Sequence, residues 1–183
     1  MIVIGLTGPI GSGKDAVSNY LEDKHDFKTF SCGDAIREIA KEEDLEPTRE
    51  NLQMIGKKYR KRWGNGFLGK KAAEMVNESE VGKTAVNGIR SPEEVDELRS
   101  RLGDSFVLVY VHAGEKTRFQ RLKERGRTGD PQTVEDFRNQ DRKDKEKFGM
   151  EETFSLADRT VVNEQSLNKL YGEVEKLLKD IKQ

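Results

Sequence analysis

The sequence feature that most constrains the fold is a glycine-rich segment near the start, Gly8-Pro9-Ile10-Gly11-Ser12-Gly13-Lys14-Asp15. The apolar run from Ile2 to Thr7 precedes it and apolar residues at helical spacing follow it, which predicts a strand, a tight turn and a helix. Glycines in such a turn let backbone N–H groups close around phosphate oxygens, and the helix start adds the positive end of its dipole. Lys14 supplies a cation for the β- and γ-phosphates. We therefore predict a nucleotide-binding loop for ATP or GTP in which all eight residues contact the nucleotide.

The last position of this loop departs from the usual pattern. Asp15 stands where Ser or Thr ordinarily presents a hydroxyl to Mg²⁺. One interpretation is that Asp15 only complements the helix dipole in the first turn. The other is that its carboxylate holds Mg²⁺, a hard cation that prefers oxygen ligands. Both interpretations stay open at this point, and Asp15 is the candidate metal ligand.

Strand and helix patterns alternate along the rest of the chain. Helical patterns separate the apolar runs, and Ser91-Pro92-Glu93-Glu94 has the form of a capping box with proline in the first turn. Such alternation predicts an α/β fold with a five-stranded parallel sheet and right-handed crossovers. The four further strands are expected at residues 27–31, 83–87, 106–111 and 160–162.

Composition limits the class of protein. The chain has 183 residues, of which 33% are hydrophobic and 37% charged, and its formal net charge is −1. This length fits one domain over residues 1–183, and the balanced charge favours neither nucleic acid nor a membrane surface as a partner. The longest apolar run, residues 106–111, is too short to cross a bilayer, and the first residues lack the pattern of a secretory signal. A single cysteine, Cys32, excludes an internal disulfide. We expect a cytoplasmic protein.

Polar residues that follow the predicted strands are the next candidates, because ligands bind at the carboxyl ends of strands in open parallel sheets. Asp34 and Arg37 follow the second strand, and Arg90 follows the third. A guanidinium at such a position can hold the phosphate of an acceptor through two parallel hydrogen bonds. The alternatives are that Asp34 is a helix cap with Arg37 in solvent, and that Arg90 forms a surface salt bridge.

Arginines crowd the region after the fourth strand. The segment 126–149 is strongly charged, contains little to bury, and is expected to be a flexible lid. A closing lid can bring positive charge to a transferring phosphoryl group while it excludes water. Because acidic residues are interleaved, we expect two or three of these arginines to be catalytic and the others to be solvated. The six candidates are Arg118, Arg121, Arg125, Arg127, Arg138 and Arg142.

Several of these segments resemble adenylate kinase and its relatives. Residues 33–37 (Gly-Asp-Ala-Ile-Arg) are similar to the segment that holds the acceptor monophosphate there, and residues 87–90 (Asn-Gly-Ile-Arg) are similar to its Asp-Gly-Phe-Pro-Arg, shortened by one residue. Arg121 and Arg125 match the Arg-x-x-x-Arg that leads into the lid. Residues 157–163 resemble the Ala-Asp…Asn segment of dephospho-CoA kinase, which implies that Asn163 lies where the chain passes the adenine.

The whole chain resembles an archaeal family of small P-loop proteins related to these kinases. The resemblance rests on Gly-Asp-x-Ile-Arg-Glu, Leu-Glu-Pro-Thr, Gly-Ile-Arg-Ser and Val-His-Ala…Thr-Arg-Phe-x-Arg-Leu, at residues 33–38, 45–48, 88–91 and 111–122. It implies a P-loop NTPase fold of three α/β/α layers, with a helical acceptor-binding flap near residues 34–80 and a short lid near residues 126–150. Asn87 replaces an aspartate of the kinases that helps to hold the Mg²⁺ hydration shell. Together with Asp15, this suggests that a carboxylate has moved from the third strand to the loop.

The predicted function is ATP-dependent transfer of the γ-phosphoryl group to a small phosphorylated acceptor, foremost a nucleoside monophosphate. Two alternatives stay open. The acceptor could be a hydroxyl, as in dephospho-CoA, with Asp34 as its base, or the protein could be a nucleotide-dependent switch or ATPase that acts through a partner. In the main hypothesis Lys14 and the loop hold ATP, Asp15 holds Mg²⁺, Arg37 and Arg90 hold the acceptor beside Asp34, and Arg121, Arg125 and Arg142 neutralise the transferring group.

Overall fold

The computed structural model of the protein describes residues 1–127 and 129–181. Within these residues either one or three α-helices lie between successive strands. In chain order the elements are β1 (Ile2–Thr7), α1 (Lys14–His25), β2 (Lys28–Ser31), α2 (Cys32–Glu42), α3 (Arg49–Trp63), α4 (Phe67–Glu78), β3 (Lys83–Ile89), α5 (Pro92–Leu102), a 3₁₀ turn (Gly103–Ser105), β4 (Phe106–His112), α6 (Glu115–Arg125), α7 (Val134–Phe148), α8 (Met150–Ser155), β5 (Arg159–Val162) and α9 (Leu167–Ile181).

The strands form one parallel sheet in the order β2-β3-β1-β4-β5. β1 is central and is buried along nearly its whole length, as a strand covered by helices on both faces must be. The predicted α/β fold with a five-stranded parallel sheet is confirmed. Because β1 runs directly into the glycine-rich loop, the loop emerges at the middle of the carboxyl edge of the sheet.

None of the helices in the described part of the chain is both long and apolar enough to cross a membrane.

An apolar cluster on each face of the sheet holds the helices in place. On one face α2, α3, α4 and α5 contribute buried residues that include Ile39, Ile55, Ala72 and Val95. On the other face α1 and α9 contribute Val17, Leu21, Leu170 and Val174.

A local irregularity between β1 and β3 shapes the carboxyl edge of the sheet. Leu6 pairs with Asn87 but Thr7 pairs with Ile89, so Gly88 is an extra residue in β3. Gly88 has a φ of 87°, which glycine adopts without a steric penalty. The Thr7 hydroxyl donates to the Ile89 carbonyl at 2.8 Å and fixes the two strand ends together. The irregularity thus places Asn87 beside the beginning of the loop.

Most of the segment expected to be a flexible lid forms a helix with one buried side chain, and its movement as a lid stays a prediction. Residues 134–148 form the α7 helix, and the Phe137 side chain on this helix is completely buried. Its ring lies 5.7 Å from the ring of Phe119 and 4.9 Å from the guanidinium carbon of Arg118. A charged segment can be anchored by one aromatic residue when a long basic side chain covers it, because the alkyl stem of arginine is apolar.

We expect Phe137→Ala to lower the free energy of unfolding by about 3–5 kcal/mol, because the substitution leaves a cavity between α6 and α7. Val134→Ala on the same helix is the matched control, since Val134 is 42% exposed, and it should change stability by less than about 0.5 kcal/mol. Urea unfolding followed by circular dichroism measures both. Equal and small effects of the two substitutions would contradict the packing described for α7.

Candidate functional site

The glycine-rich loop has the conformation that phosphate binding requires. Gly8, Gly11 and Gly13 all have positive φ angles, and α1 begins at Lys14 directly after the last of them. At Gly13 the constraint is also one of space, because a Cβ atom there would lie only 2.1 Å from Nδ2 of Asn163. The loop therefore presents its backbone N–H groups and the positive end of α1 to the same region.

Lys14 lies in a cationic environment. Its Nζ donates to the carbonyl oxygens of Gly8 at 2.7 Å and Pro9 at 3.1 Å, so the ammonium folds over the loop. Burial, together with the nearby charges of Arg90, Arg118 and Arg125, lowers the pKa of Lys14 to about 8, whereas Asp15 opposes this shift. Arg90 follows β3 whereas Arg118 and Arg125 both lie on α6, so positive charge reaches the loop lysine from the ends of two different strands. A polyanion is the natural counterion for such a site.

Asn163 holds the loop through its side-chain amide. This residue is 3% exposed, its Nδ2 donates to the Ser12 carbonyl at 2.9 Å, and its Oδ1 accepts from Nη2 of Arg121 at 3.1 Å. Both ends of the amide are thus engaged, and Arg121 is held beside the loop. The predicted contact of Asn163 with the nucleotide stays a prediction; the contact that the structure provides is with the backbone of the loop.

Arg118 joins the loop to α7. The residue is 4% exposed, and Nε donates to the Ala113 carbonyl while Nη1 donates to the Ile10 carbonyl in the loop, both at 3.1 Å. Nη1 and Nη2 also donate to the two carboxylate oxygens of Asp141, at 2.6 and 2.9 Å. The sequence placed Arg118 among six candidates without distinguishing it, because neither its spacing nor its neighbours reveal a partner 23 residues away.

Two other predicted arginines have different surroundings. Arg125 binds both carboxylate oxygens of Asp130, and this contact is the main cause that raises the pKa of Arg125 and lowers that of Asp130. Arg142 is exposed, and its guanidinium contacts Oδ1 of Asn139 at 3.4 Å. Arg118 thus contacts the loop directly and Arg121 contacts it through Asn163, while the predicted catalytic role of Arg142 stays a prediction.

Asp15 and Asn87, the two departures from the kinase pattern, contact each other. Nδ2 of Asn87 donates to Oδ1 of Asp15 at 2.9 Å. Asp15 is exposed and its Oδ2 has no protein partner in the described residues, so one carboxylate oxygen can accept a cation. Residues 1–127 and 129–181 contain no group of three or more His, Cys, Asp or Glu side chains that could hold a metal ion. One carboxylate beside a phosphate loop nevertheless fits Mg²⁺, which keeps several waters and takes its other ligands from phosphate.

Asp34 has the geometry of a helix cap. Its Oδ2 accepts from the backbone N–H and the hydroxyl of Ser31, both at 2.8 Å, while the Ser31 hydroxyl accepts from the Asp34 N–H at 3.1 Å. Its Oδ1 accepts from Nη1 of Arg37 at 2.6 Å. The arrangement is a complete capping box at the start of α2. Both carboxylate oxygens of Asp34 are therefore engaged, and Arg37 is paired within its own helix.

Arg90 has a neighbour that the sequence did not indicate. Arg60 on α3 has a 20% exposed side chain, and its Nη2 lies 3.8 Å from Oε1 of Glu94. Both guanidiniums lie against the ring of Phe148. Glu94 is 1% exposed, and burial raises the pKa of its carboxyl despite two backbone donors and the nearby arginines. Arg60 gave no sequence signal because it stands among the basic residues of α3, which are typical of a solvated helix face.

Comparison with known proteins agrees with this fold and loop. A family model described as an AAA domain matches residues 4–146. A shikimate kinase from Bacteroides thetaiotaomicron superimposes with a TM-score of 0.63 at 16% identity, covering 100% of this chain and 99% of the other. A gluconokinase from Sinorhizobium meliloti gives a TM-score of 0.56 at 16% identity, covering 98% and 95% of the two chains. The protein thus has a P-loop kinase fold.

Archaeal sequences are more similar still. The UPF0200 protein of Thermococcus kodakarensis is 38% identical over 184 residues, which cover 99% of this chain and 98% of the relative. The UPF0200 protein of Pyrococcus furiosus is 37% identical and covers 97% and 96% of the two chains. The chain belongs to the UPF0200 family, and the predicted resemblance to an archaeal family of small P-loop proteins is confirmed.

We expect the affinity for Mg·ATP to fall as the pH rises through about 8, because Lys14 loses its proton in the free protein. The phosphates are fully ionised above about pH 7, so the lysine alone should titrate. Above the pKa of Lys14 the Kd should rise by about tenfold per pH unit until the pKa of the bound state is reached. Titration of a fluorescent ATP analogue between pH 7 and 9.5 measures this.

Lys14→Gln is the control for this pH dependence. The variant should bind the analogue more weakly, with a Kd that stays flat across the same pH range. If the variant showed the same pH slope as the wild-type protein, another group would be responsible.

Proposed function

We propose that this protein transfers the γ-phosphoryl group of ATP to a small phosphorylated acceptor, with a nucleoside monophosphate as the leading candidate. The observation that carries this proposal is the convergence of separate cations on the loop. Arg118 on α6 donates to the Ile10 carbonyl in the loop, Arg90 directly follows the Ile89 that pairs with Thr7 before the loop, and Arg125 at the end of α6 helps to lower the pKa of Lys14. Loop binding alone does not need them, whereas phosphoryl transfer needs positive charge on both sides of the migrating group.

The residues divide into a donor side and an acceptor side. The loop and Lys14 hold the phosphates of ATP, with Arg121 beside the loop and Arg125 within electrostatic range of Lys14. Arg90 lies at the adjacent strand end and binds the acceptor phosphate, for which Arg37 is the other sequence-derived candidate. Asp15 would hold Mg²⁺, which when bound would supply charge to the β- and γ-phosphates. An acceptor phosphate is already ionised, so no residue has to act as a strong base.

A hydroxyl acceptor is the second candidate, because solved proteins of the same fold are named shikimate kinase and gluconokinase. Such an acceptor calls for a base near its hydroxyl, and Asp34 is the candidate. Both oxygens of Asp34 are already engaged by Ser31 and Arg37. This engagement supports the phosphorylated acceptor over the hydroxyl.

A screen for acceptor-dependent ADP release tests the proposal. The protein is incubated with ATP and Mg²⁺ and with each common ribo- and deoxynucleoside monophosphate, dephospho-CoA, shikimate or gluconate. Release that rises strongly with one monophosphate supports the proposal, whereas a rise only with an acceptor hydroxyl replaces it with the second candidate. Slow release that no acceptor changes would indicate a nucleotide-dependent switch. Lys14→Gln should abolish release in every case.

The contact between Asp15 and Asn87 leads to a double-mutant prediction. Asp15→Ser should remove the carboxylate that fits Mg²⁺ and lower kcat/KM by about 100-fold, a loss of about 2.7 kcal/mol in transition-state stabilisation. Asn87→Asp in the same protein should recover at least about tenfold of that loss, because the two positions are in hydrogen-bond contact and the carboxylate would return to the same place.

Two measurements test this prediction, and the second of them needs no acceptor. Steady-state kinetics gives kcat/KM for the two single variants and the double variant. Titration of the fluorescent ATP analogue with and without Mg²⁺ gives the contribution of the metal to binding, which should fall in Asp15→Ser, because a hydroxyl is an uncharged ligand, and return in the double variant. Strictly additive losses in both measurements would show that the two positions do not exchange roles.

A further inference from the structure

Two guanidiniums and one aromatic ring form a cluster beside the loop, which we call the arginine pair (Arg60 and Arg90). Arg60 lies on α3 and Arg90 follows β3, while Phe148 ends α7. The guanidinium carbons of Arg60 and Arg90 lie 5.0 and 5.5 Å from the centroid of the Phe148 ring. Three elements that are distant in sequence therefore bring two cations to the same ring.

The charge of the arginine pair is only partly balanced. In the described residues the one ion pair that either guanidinium makes is that of Arg60 with Glu94, at the long distance of 3.8 Å. The other carboxylate oxygen of Glu94 accepts from the backbone N–H of Arg90 at 2.7 Å. One buried carboxylate, already committed to the backbone, thus faces two cations. An additional anion would relieve their repulsion.

Arg60 also has unused hydrogen-bond donors. Its Nε is buried without a partner in the part of the chain that the structure describes. Burial lowers the pKa of Arg60, and the nearby charge of Arg90 lowers it further. A guanidinium presents five N–H donors in a fixed fork that matches the oxygens of a phosphate or carboxylate. The cost of a desolvated and unpaired arginine is reduced when such an oxyanion binds.

The arginine pair faces the place where an acceptor must lie. Arg90 is exposed, so a ligand can reach it, and it directly follows Ile89, which pairs with Thr7 where β1 enters the loop. Arg37, in contrast, is bound to Asp34 at 2.6 Å within its own helix. Arg37 is thus held in an ion pair at hydrogen-bond distance, whereas neither the Arg60 nor the Arg90 guanidinium donates a hydrogen bond to another of the described residues.

We propose that Arg60 and Arg90 together bind the anionic group of the acceptor, a phosphate or a carboxylate, against the Phe148 ring. This inference rests on the proposed function, since it identifies where the acceptor is held in that same site. In this proposal Arg60 is a ligand-binding residue on α3, and Phe148 at the end of α7 forms an apolar wall of the site. Phe148 brings α7 into the proposed site, whereas the two cations come from α3 and from the end of β3.

Tryptophan fluorescence offers a direct test that does not depend on catalysis. The chain has one tryptophan, Trp63, which lies one helical turn after Arg60 and is 56% exposed. The loop is first saturated with Mg²⁺ and a non-hydrolysable ATP analogue, and inorganic phosphate or acetate is then titrated while Trp63 emission is recorded. We expect a saturable change with at least one of the two anions. A change in Trp63 emission with phosphate alone indicates a phosphorylated acceptor. A change of equal size with acetate indicates that the acceptor group is a carboxylate.

Variants assign this binding to particular residues. Arg60→Gln and Arg90→Gln should each weaken anion binding about tenfold or more, since each loses charge-assisted hydrogen bonds. Arg60→Lys keeps the charge without the fork and should be intermediate. Lys61→Gln removes an exposed charge from the same helix and should leave the affinity within about twofold. Phe148→Leu keeps both charges, so it tests the wall even if an arginine variant folds poorly, and should weaken binding by a few-fold.

Three results would overturn the inference. They are the absence of any saturable change with either anion, equal affinities for Arg60→Gln and Lys61→Gln, and loss of binding in Arg37→Gln with Arg60→Gln unaffected. Phosphotransfer measured in parallel separates the two proposals. Anion binding that requires Arg60 without acceptor-dependent ADP release would retain the arginine pair and reject the kinase. Acceptor-dependent ADP release with an unchanged acceptor KM in Arg60→Gln would retain the kinase and reject the arginine pair.

Discussion

The pairing of β1 with β3 on one side and β4 on the other is the constraint on which the rest of this structure depends. It places the loop after β1 between the ends of two other strands, so residues that follow β3 and β4 meet at the loop. Asn87 and Arg90 arrive from one side, while Arg118 and Arg121 arrive from the other. Right-handed crossovers then leave the helices on the two faces of the sheet and keep the carboxyl edge free for ligands.

Charge is distributed unevenly over this edge. The buried arginine Arg118 is matched by Asp141 in a bidentate pair and by two backbone carbonyls, so its burial is compensated. Arg60 is compensated far less, by one carboxylate at 3.8 Å. An arginine whose N–H donors all have partners can act as a fixed structural element. An arginine with unpaired donors gains hydrogen bonds when an anion binds, and this gain favours binding. The distinction separates the residues that hold the loop from those that are available to ligands.

The sequence was sufficient to predict the parallel sheet, the loop and the cap at Ser91, because each depends on residues close together in the chain. The local pattern predicted a helix cap at Asp34 only as an alternative to a binding role, and the structure has Asp34 in a capping box with Ser31. The partners of Arg118 and Arg60 could not be predicted, since both lie more than 20 residues away and spacing carries no information about them. Phe137 was missed for a related reason: a single buried ring in a charged helix gives almost no periodic signal.

The close approach of Gly13 to Asn163 has a consequence for how this protein can change. An atom added at position 13 would collide with the amide that supports the loop, and an amide moved from position 163 would leave the Ser12 carbonyl and Arg121 without their partner. Each position therefore sets the allowed size of the other. Substitution in the loop after the first strand is therefore constrained by a residue that follows the last strand, and any side chain at position 13 would in addition have to adopt a φ of 98°.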